Sequence, residues 1–174
     1  MTISQATFPE QVRFKLHGVK LKAMGFGLKL MPIRNTQLFT GTEAVAELAN
    51  KIAMLGLKKA LIVTTPGAVK RGYTDKVIKA LQNQGVGSAV YSDVASDPTF
   101  KTVREGTKVL KERGCDCAIA LGGGSVMDAA KAMVVAATND KPVEELMGMR
   151  KGKNVPLPFY AIPTTSGTGS EVTN

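Results

Sequence analysis

Tryptophan is absent from this 174-residue chain, aromatic residues make up only 5% of it, histidine occurs once and cysteine twice. Each shortage excludes something. With few aromatics, and with no zinc-finger spacing or aromatic-basic RNA-binding signature, little is available to stack on bases, so the net charge of +9 reads as a solvated basic surface. Nucleic acid is not an expected partner. His17 stands alone, and Cys115 and Cys117 have no second Cys or His cluster with which to complete a metal site. One residue apart, the two cysteines share a face of any strand that holds them and close poorly into a disulfide, so they read as reduced, packed thiols. No apolar run approaches the roughly 18 to 20 residues that cross a bilayer, and the opening MTISQATFPEQVRF lacks the apolar stretch of a secretory signal. The expected location is the cytoplasm, without a membrane partner.

What is present suits a packed domain. Hydrophobic residues make up 44% of the chain and charged residues 21%, and this length can bury a core without staples. The positive charge is front-loaded, with six Lys or Arg in residues 1–35 against Glu10 alone. Residues 1–35 are therefore set apart as a basic leader, a hairpin or subunit-contact segment, and 36–174 as the functional domain.

From residue 37 onward, short apolar runs alternate with helical patterns. Gln37 to Thr40 suits a short strand; Ala44, Val45, Leu48, Ala49, Ile52 and Leu55 then mark one face of a helix over 43–55, ended by Gly56. Ala60 to Val63 is an unbroken apolar run, expected as a buried strand, with Thr64 to Gly67 as a turn. A helix over 74–84 stopping at Gly85, a strand over 88–91, a helix over 99–113 ending at Gly114, a buried strand over 117–121, a turn over 122–124, a helix over 125–137 and a strand over 157–162 complete the pattern. Residues 139–154 read as a polar loop. This alternation implies right-handed crossovers and a doubly wound, mainly parallel sheet with helices on both faces. Such sheets bind ligands beyond the carboxyl ends of their strands, so the loops at 64–67, 93–99, 122–125 and 164–170 are expected to share one rim.

Two of those loops carry chemistry. In LGGGSVMDAAK, residues 121–131, three glycines between a buried strand and a helix allow backbone N–H groups to approach a ligand, and the helix N-terminus adds partial positive charge. A phosphate suits that corner. The segment is neither G-x-x-x-x-G-K-[ST] nor G-x-G-x-x-G. A purely structural reading is also open: Ser125 as helix cap and Asp128 three residues on form a capping box. The second loop, PTTSGTGSEVT at 163–173, packs hydroxyls and glycines directly after a strand, a lining suited to sugar and phosphate.

Together GGGSVMDAAK and PTTSGTGSEVT, with DPT at 97–99 and ALIVTTPG at 60–67 in the same order, resemble the iron-activated, group III alcohol dehydrogenase family. That family is similar in fold to dehydroquinate synthase and glycerol dehydrogenase, and the resemblance runs from about residue 37 to the last residue. It implies a domain that binds NAD or NADP, with Gly123, Gly124 and Ser125 around the diphosphate and Thr164, Thr165 and Thr168 contributing from the second loop. It also implies Asp128 near the nicotinamide end and Asp97 at a position that often carries Asn. Relatives that prefer NAD have an Asp where this chain has Thr65, so the resemblance implies that repulsion of a 2′-phosphate is missing here and that NADP is tolerated or preferred. Lys70 and Arg71 stand nearby, either to approach that phosphate or as solvated helix-flank charges.

The resemblance further implies hydride transfer between a small alcohol and its aldehyde or ketone, with Fe2+ or Zn2+ polarising the substrate oxygen from one Asp and three His of a helical domain. A chain with one histidine cannot supply three imidazoles. No catalytic residue and no metal ligand is therefore expected within it, and it is expected to be the cofactor-binding half of a two-domain enzyme: a natural or cloned fragment, or an incomplete reading of a longer polypeptide, inactive alone. Alternatives are a glycerol or sugar-alcohol dehydrogenase, a dehydroquinate-synthase-like relative, or a non-catalytic binding or oligomerisation module. A homodimer, as in many enzymes of that family, is one assembly that the leader and the strand at 37–40 could help to form.

Overall fold

Lys59–Val63 and Cys117–Gly122 are nearly continuous apolar runs, and runs of that kind form strands covered on both faces. A computed structural model, which describes residues 37–139, 141–146 and 153–170, has them as neighbouring central strands. The elements described all lie in one unit, Leu38–Asn174. In chain order they are α1 (Ala44–Met54), β1 (Lys59–Val63), α2 (Pro66–Lys70), α3 (Tyr73–Asn83), β2 (Gly87–Tyr91), α4 (Phe100–Glu112), β3 (Cys117–Gly122), α5 (Gly124–Thr138), α6 (Val143–Leu146) and β4 (Phe159–Pro163). The leader 1–35, with His17, lies outside the described residues.

The sheet has the order β2-β1-β3-β4 and every pair is parallel. Side chains alternate across it. Leu61, Val63, Ala118 and Ala120 pack with Val103 and Leu110 of α4 and Met127, Ala130 and Met133 of α5. On the other face Ala60, Ile62, Ile119 and Leu121 pack with Leu48 and Ile52 of α1 and Val77 and Leu81 of α3. This is the doubly wound architecture. The chain passes from β1 outward to β2, then back across β1 to β3, so the winding reverses between β1 and β3, and sheets of this kind take ligands at the carboxyl ends of the strands where it does.

Three helices end by one device. At the end of α1 the Gly56 N–H donates to the Ala53 carbonyl and the Leu57 N–H to that of Ile52, with Gly56 at φ +76°. Gly85 with Val86 and Gly114 with Cys115 repeat the arrangement after α3 and α4, each time delivering a buried or half-buried residue beside the next strand.

Four expectations change. Residues 37–40 form no strand; Leu38 is 80% exposed and no sheet neighbour pairs with them among the described residues, and an isolated strand has nothing to stabilise it. The turn at 64–67 is instead the start of α2, capped by the Thr65 hydroxyl, which accepts from the Ala68 N–H at 3.3 Å, with Pro66 preset for the first helical position. The expected turn at 122–124 shrinks to one residue, because β3 includes Gly122 and α5 begins at Gly124. The loop at 139–154 contains α6, and buried Asn139 ties its ends, donating to the Val135 carbonyl at 2.8 Å and accepting from the Lys153 N–H at 3.0 Å.

Candidate functional site

The strand registers set Val63 opposite both Tyr91 and Ala120, and Gly122 opposite Pro163, so the loops that follow all four strands leave the sheet on the same side. Their backbones are laced together there. The Thr64 N–H donates to the Tyr91 carbonyl at 2.9 Å, the buried Thr64 hydroxyl to the Leu121 carbonyl at 2.7 Å, and the Thr164 N–H to the Gly122 carbonyl at 3.0 Å. The shared rim expected for these loops is present.

Gly123 is the residue that caps α5, in extended conformation (φ −89°, ψ −168°). The N–H groups of Val126 and Met127 both turn to its carbonyl, at 3.1 Å each. Gly124 and Ser125, the first two residues of a 15-residue helix, thus have N–H groups with no acceptor ahead of them in the helix. Two backbone donors and the positive end of the helix dipole thus stand together at the carboxyl end of β3.

The three glycines each lie against a different neighbour, and at Gly122 the space is strictly required. A Cβ built on Gly122 would lie 2.6 Å from Val126 Cγ2, so Gly122 brings α5 onto its own strand. A Cβ on Gly123 would lie 2.9 Å from Thr165 Oγ1, and one on Gly124 3.3 Å from Ser170 Oγ and 3.5 Å from Thr168 Cβ. The hydroxyl loop therefore sits directly against the glycine corner. The two motifs, some forty residues apart, form one surface.

The capping-box reading of Ser125 and Asp128 fails. Gly123 occupies the cap, and the Ser125 hydroxyl donates instead to the Ser96 carbonyl at 2.5 Å, fastening the loop at 93–99 to the first turn of α5. Asp128 is exposed one turn further on, as are Asp97, Thr164, Thr165 and Thr168 around the rim. Thr65 is half-buried, committed to capping α2. The guanidinium of Arg71 folds back over that cap, 3.2 Å from a Cβ built on Gly67, and lies 5.3 Å from the Tyr73 ring centroid. Lys70 is exposed beside it. Glu171, Val172 and Thr173 lie outside the described residues.

Ser96 and Lys131 are rim residues that the sequence did not single out. Lys131, half-buried on α5, donates to the Ser170 carbonyl at 2.5 Å; its position two turns after the glycines in GGGSVMDAAK is the one signal that could have found it. Ser96 enters through its backbone carbonyl, which leaves no mark on residue type. A cleft of about 330 Å³ lined by Arg104, Thr107, Lys111, Asn139, Lys141 and Val143 opens at the far end of α5, and none of the expected site residues lines it. Cys115 and Cys117 are free and buried, and burial, helped by the neighbouring Asp116 charge, pushes the Cys117 thiol up to about 12. Among the described residues no group of three or more His, Cys, Asp or Glu is placed to hold a metal ion, and no helix is long and apolar enough to cross a membrane.

Comparison with known proteins gives a consistent result. The family model described as iron-containing alcohol dehydrogenase matches residues 35–174. Alcohol dehydrogenase 4 of Schizosaccharomyces pombe is 38% identical over 158 residues, which is 88% of this chain and 37% of that protein. Among solved structures, 1,3-propanediol oxidoreductase superposes with a TM-score of 0.72 at 34% identity, over 76% of this chain and 35% of the other. Sulfoacetaldehyde reductase from Bifidobacterium kashiwanohense in complex with NAD+ superposes at 0.69 and 31% identity, over 82% of this chain and 39% of the other. The chain thus spans little more than a third of the length of each of these relatives.

Proposed function

The chain belongs to the iron-containing alcohol dehydrogenase family, and from that premise we propose that residues 36–174 are the NAD(P)-binding domain of an enzyme that interconverts small alcohols with aldehydes or ketones. The observation that carries the proposal is the corner itself: two N–H donors at the start of α5, flanked by glycines, with a hydroxyl-bearing loop seated on them. In this reading the N–H groups of Gly124 and Ser125 bind the diphosphate, Gly123 leaves it room, and Thr164, Thr165 and Thr168 donate from the other side. Thr65 faces the adenosine ribose, Asp97 borders the groove, and Asp128 stands toward the nicotinamide end. When bound, the nicotinamide takes a hydride from the alcohol or gives one to the carbonyl. Among the described residues no group is placed to hold the iron or zinc implied by the family; the part assigned to this domain in this reading is to hold and orient the cofactor. Buried free thiols support a reducing compartment such as the cytoplasm.

Titration of the 174-residue chain with NADH and NADPH tests the reading. Saturable binding is expected, weakened more than about tenfold in Gly123→Asp, where a carboxylate faces the diphosphate and a Cβ crowds Thr165, with the circular dichroism spectrum unchanged. Self-association without nucleotide binding would overturn the proposal in favour of an assembly module. A finer expectation concerns the 2′-position: Thr65 carries no charge to repel a phosphate and the Arg71 guanidinium lies over the same turn, so NADPH should bind at least as tightly as NADH. A clear preference for NADH would remove that part of the proposal.

A further inference from the structure

Two hydrogen bonds tie the loop that runs from Thr164 to Ser170 over the glycine corner to its neighbours at either end. On the strand side the Thr164 N–H donates to the Gly122 carbonyl at 3.0 Å. On the helix side the Lys131 ammonium donates to the Ser170 carbonyl at 2.5 Å. Lys131 sits midway along α5, with its ammonium 5.8 Å from the centroid of the Phe159 ring at the start of β4. One side chain thus joins the helix that carries the glycine corner to the strand and loop that cover it. Between the two bonds, Thr165, Thr168 and Ser170 are the residues that crowd Gly123 and Gly124. Residues 164–168 are exposed and rich in serine, threonine and glycine, with little burial to fix them, whereas a charge-assisted bond to a backbone carbonyl in a half-buried setting is among the stronger single contacts available.

We propose that Lys131 is a positioning residue: by holding the Ser170 carbonyl it sets the 164–170 loop at the height over Gly123 and Gly124 at which the loop's hydroxyls reach a bound diphosphate. The assignment rests on the dinucleotide reading above, and it gives a role to a cation on α5 that lies outside the glycine corner. The loop's order in the nucleotide-free chain depends on Lys131, and part of the affinity for the dinucleotide depends on that order, because a pre-positioned loop loses less freedom on binding.

The test compares wild type with Lys131→Met, which keeps the stem beside Phe159 and loses the donor, Lys131→Gln, which shortens the reach, and Lys131→Arg, which keeps a cationic donor. Backbone 15N order parameters without nucleotide should fall below about 0.6 at Gly167, Gly169 and Ser170 in the Met and Gln variants while α5 and β3 stay near about 0.85. The Kd for NADH should rise about tenfold in both variants, and Arg should restore loop order and affinity together. Unchanged loop order, or a loosened loop with an unchanged Kd, would overturn the assignment. If wild type binds neither NADH nor NADPH while the Met variant still loosens the loop, the dinucleotide reading falls and the contact survives as a loop tether only. Should the Met variant fail to fold, the Gln and Arg pair carries the same comparison.

Discussion

Adding one methyl group at Gly122 or at Gly123 should have opposite consequences for fold and function. At Gly122 the new Cβ meets Val126 at 2.6 and 2.8 Å, and the obstacle is a β-branched side chain whose rotamer the helix fixes. Gly122→Ala should therefore cost about 1–3 kcal/mol of stability, read as a lower urea midpoint. At Gly123 the obstacle is the tip of an exposed threonine, and the extended backbone accepts any residue, so Gly123→Ala should leave stability within about 0.5 kcal/mol while weakening dinucleotide binding. A stability loss at Gly123 equal to that at Gly122 would show that the hydroxyl loop is part of the folded core. The sequence marked both glycines but not which was which. Ser125 shows the same limit: its spacing to Asp128 fits a capping box, yet the cap is Gly123, and the hydroxyl bonds a carbonyl 29 residues earlier that no local pattern discloses.

At the scale of elements, the ends of α1, α3 and α4 were the most legible feature, because a glycine followed by an apolar residue satisfies the last carbonyls and buries the next side chain at once. A Cβ at Gly56, Gly85 or Gly114 would meet nothing within 4 Å, so only the left-handed backbone penalises alanine there. Each Gly→Ala variant should lose about 1–2 kcal/mol, measured by urea unfolding. A loss well beyond that range would mean that packing, and not backbone conformation, fixes the glycine. Helices of four or five residues were not legible in the same way. α2 and α6 are too short to show a period of 3.6, and what specifies α2 is its cap, Thr65, followed by Pro66. The stretch at 37–40 errs in the other direction: it suits a short strand by sequence, but a strand exists only where another pairs with it.

For the whole molecule, burial of titratable groups sets the response to alkaline pH. Cys117 is pushed up to about 12 from an ordinary 9.0, chiefly by burial, and Tyr91 to about 12 from 10.0, by burial and by the charges of Glu105 and Asp93. Between the ordinary and the raised values the unfolded chain has released protons that the folded chain still holds, so stability falls as pH rises through that window. The urea midpoint should drop there, less steeply in Cys117→Ala, and a flat profile would refute the assignment. Cys115 and Cys117 should also resist a thiol reagent in the native chain and react once it is unfolded. The sequence by itself determined the architecture, because continuous apolar runs, helical periodicity and glycine stops are local signals that all demand the same layered sheet. It also marked the two loops that carry the chemistry, through residue types that only close approach or hydrogen bonding would favour. Only the tertiary structure decided what those loops do to each other: that PTTSGTGS lies on GGGS, that Ser125 holds the loop at 93–99 and that Lys131 holds the one at 164–170. The partners in those contacts are largely backbone carbonyls and empty space, which every residue type can offer, so their placement follows from strand order and register and leaves no trace in the order of side chains.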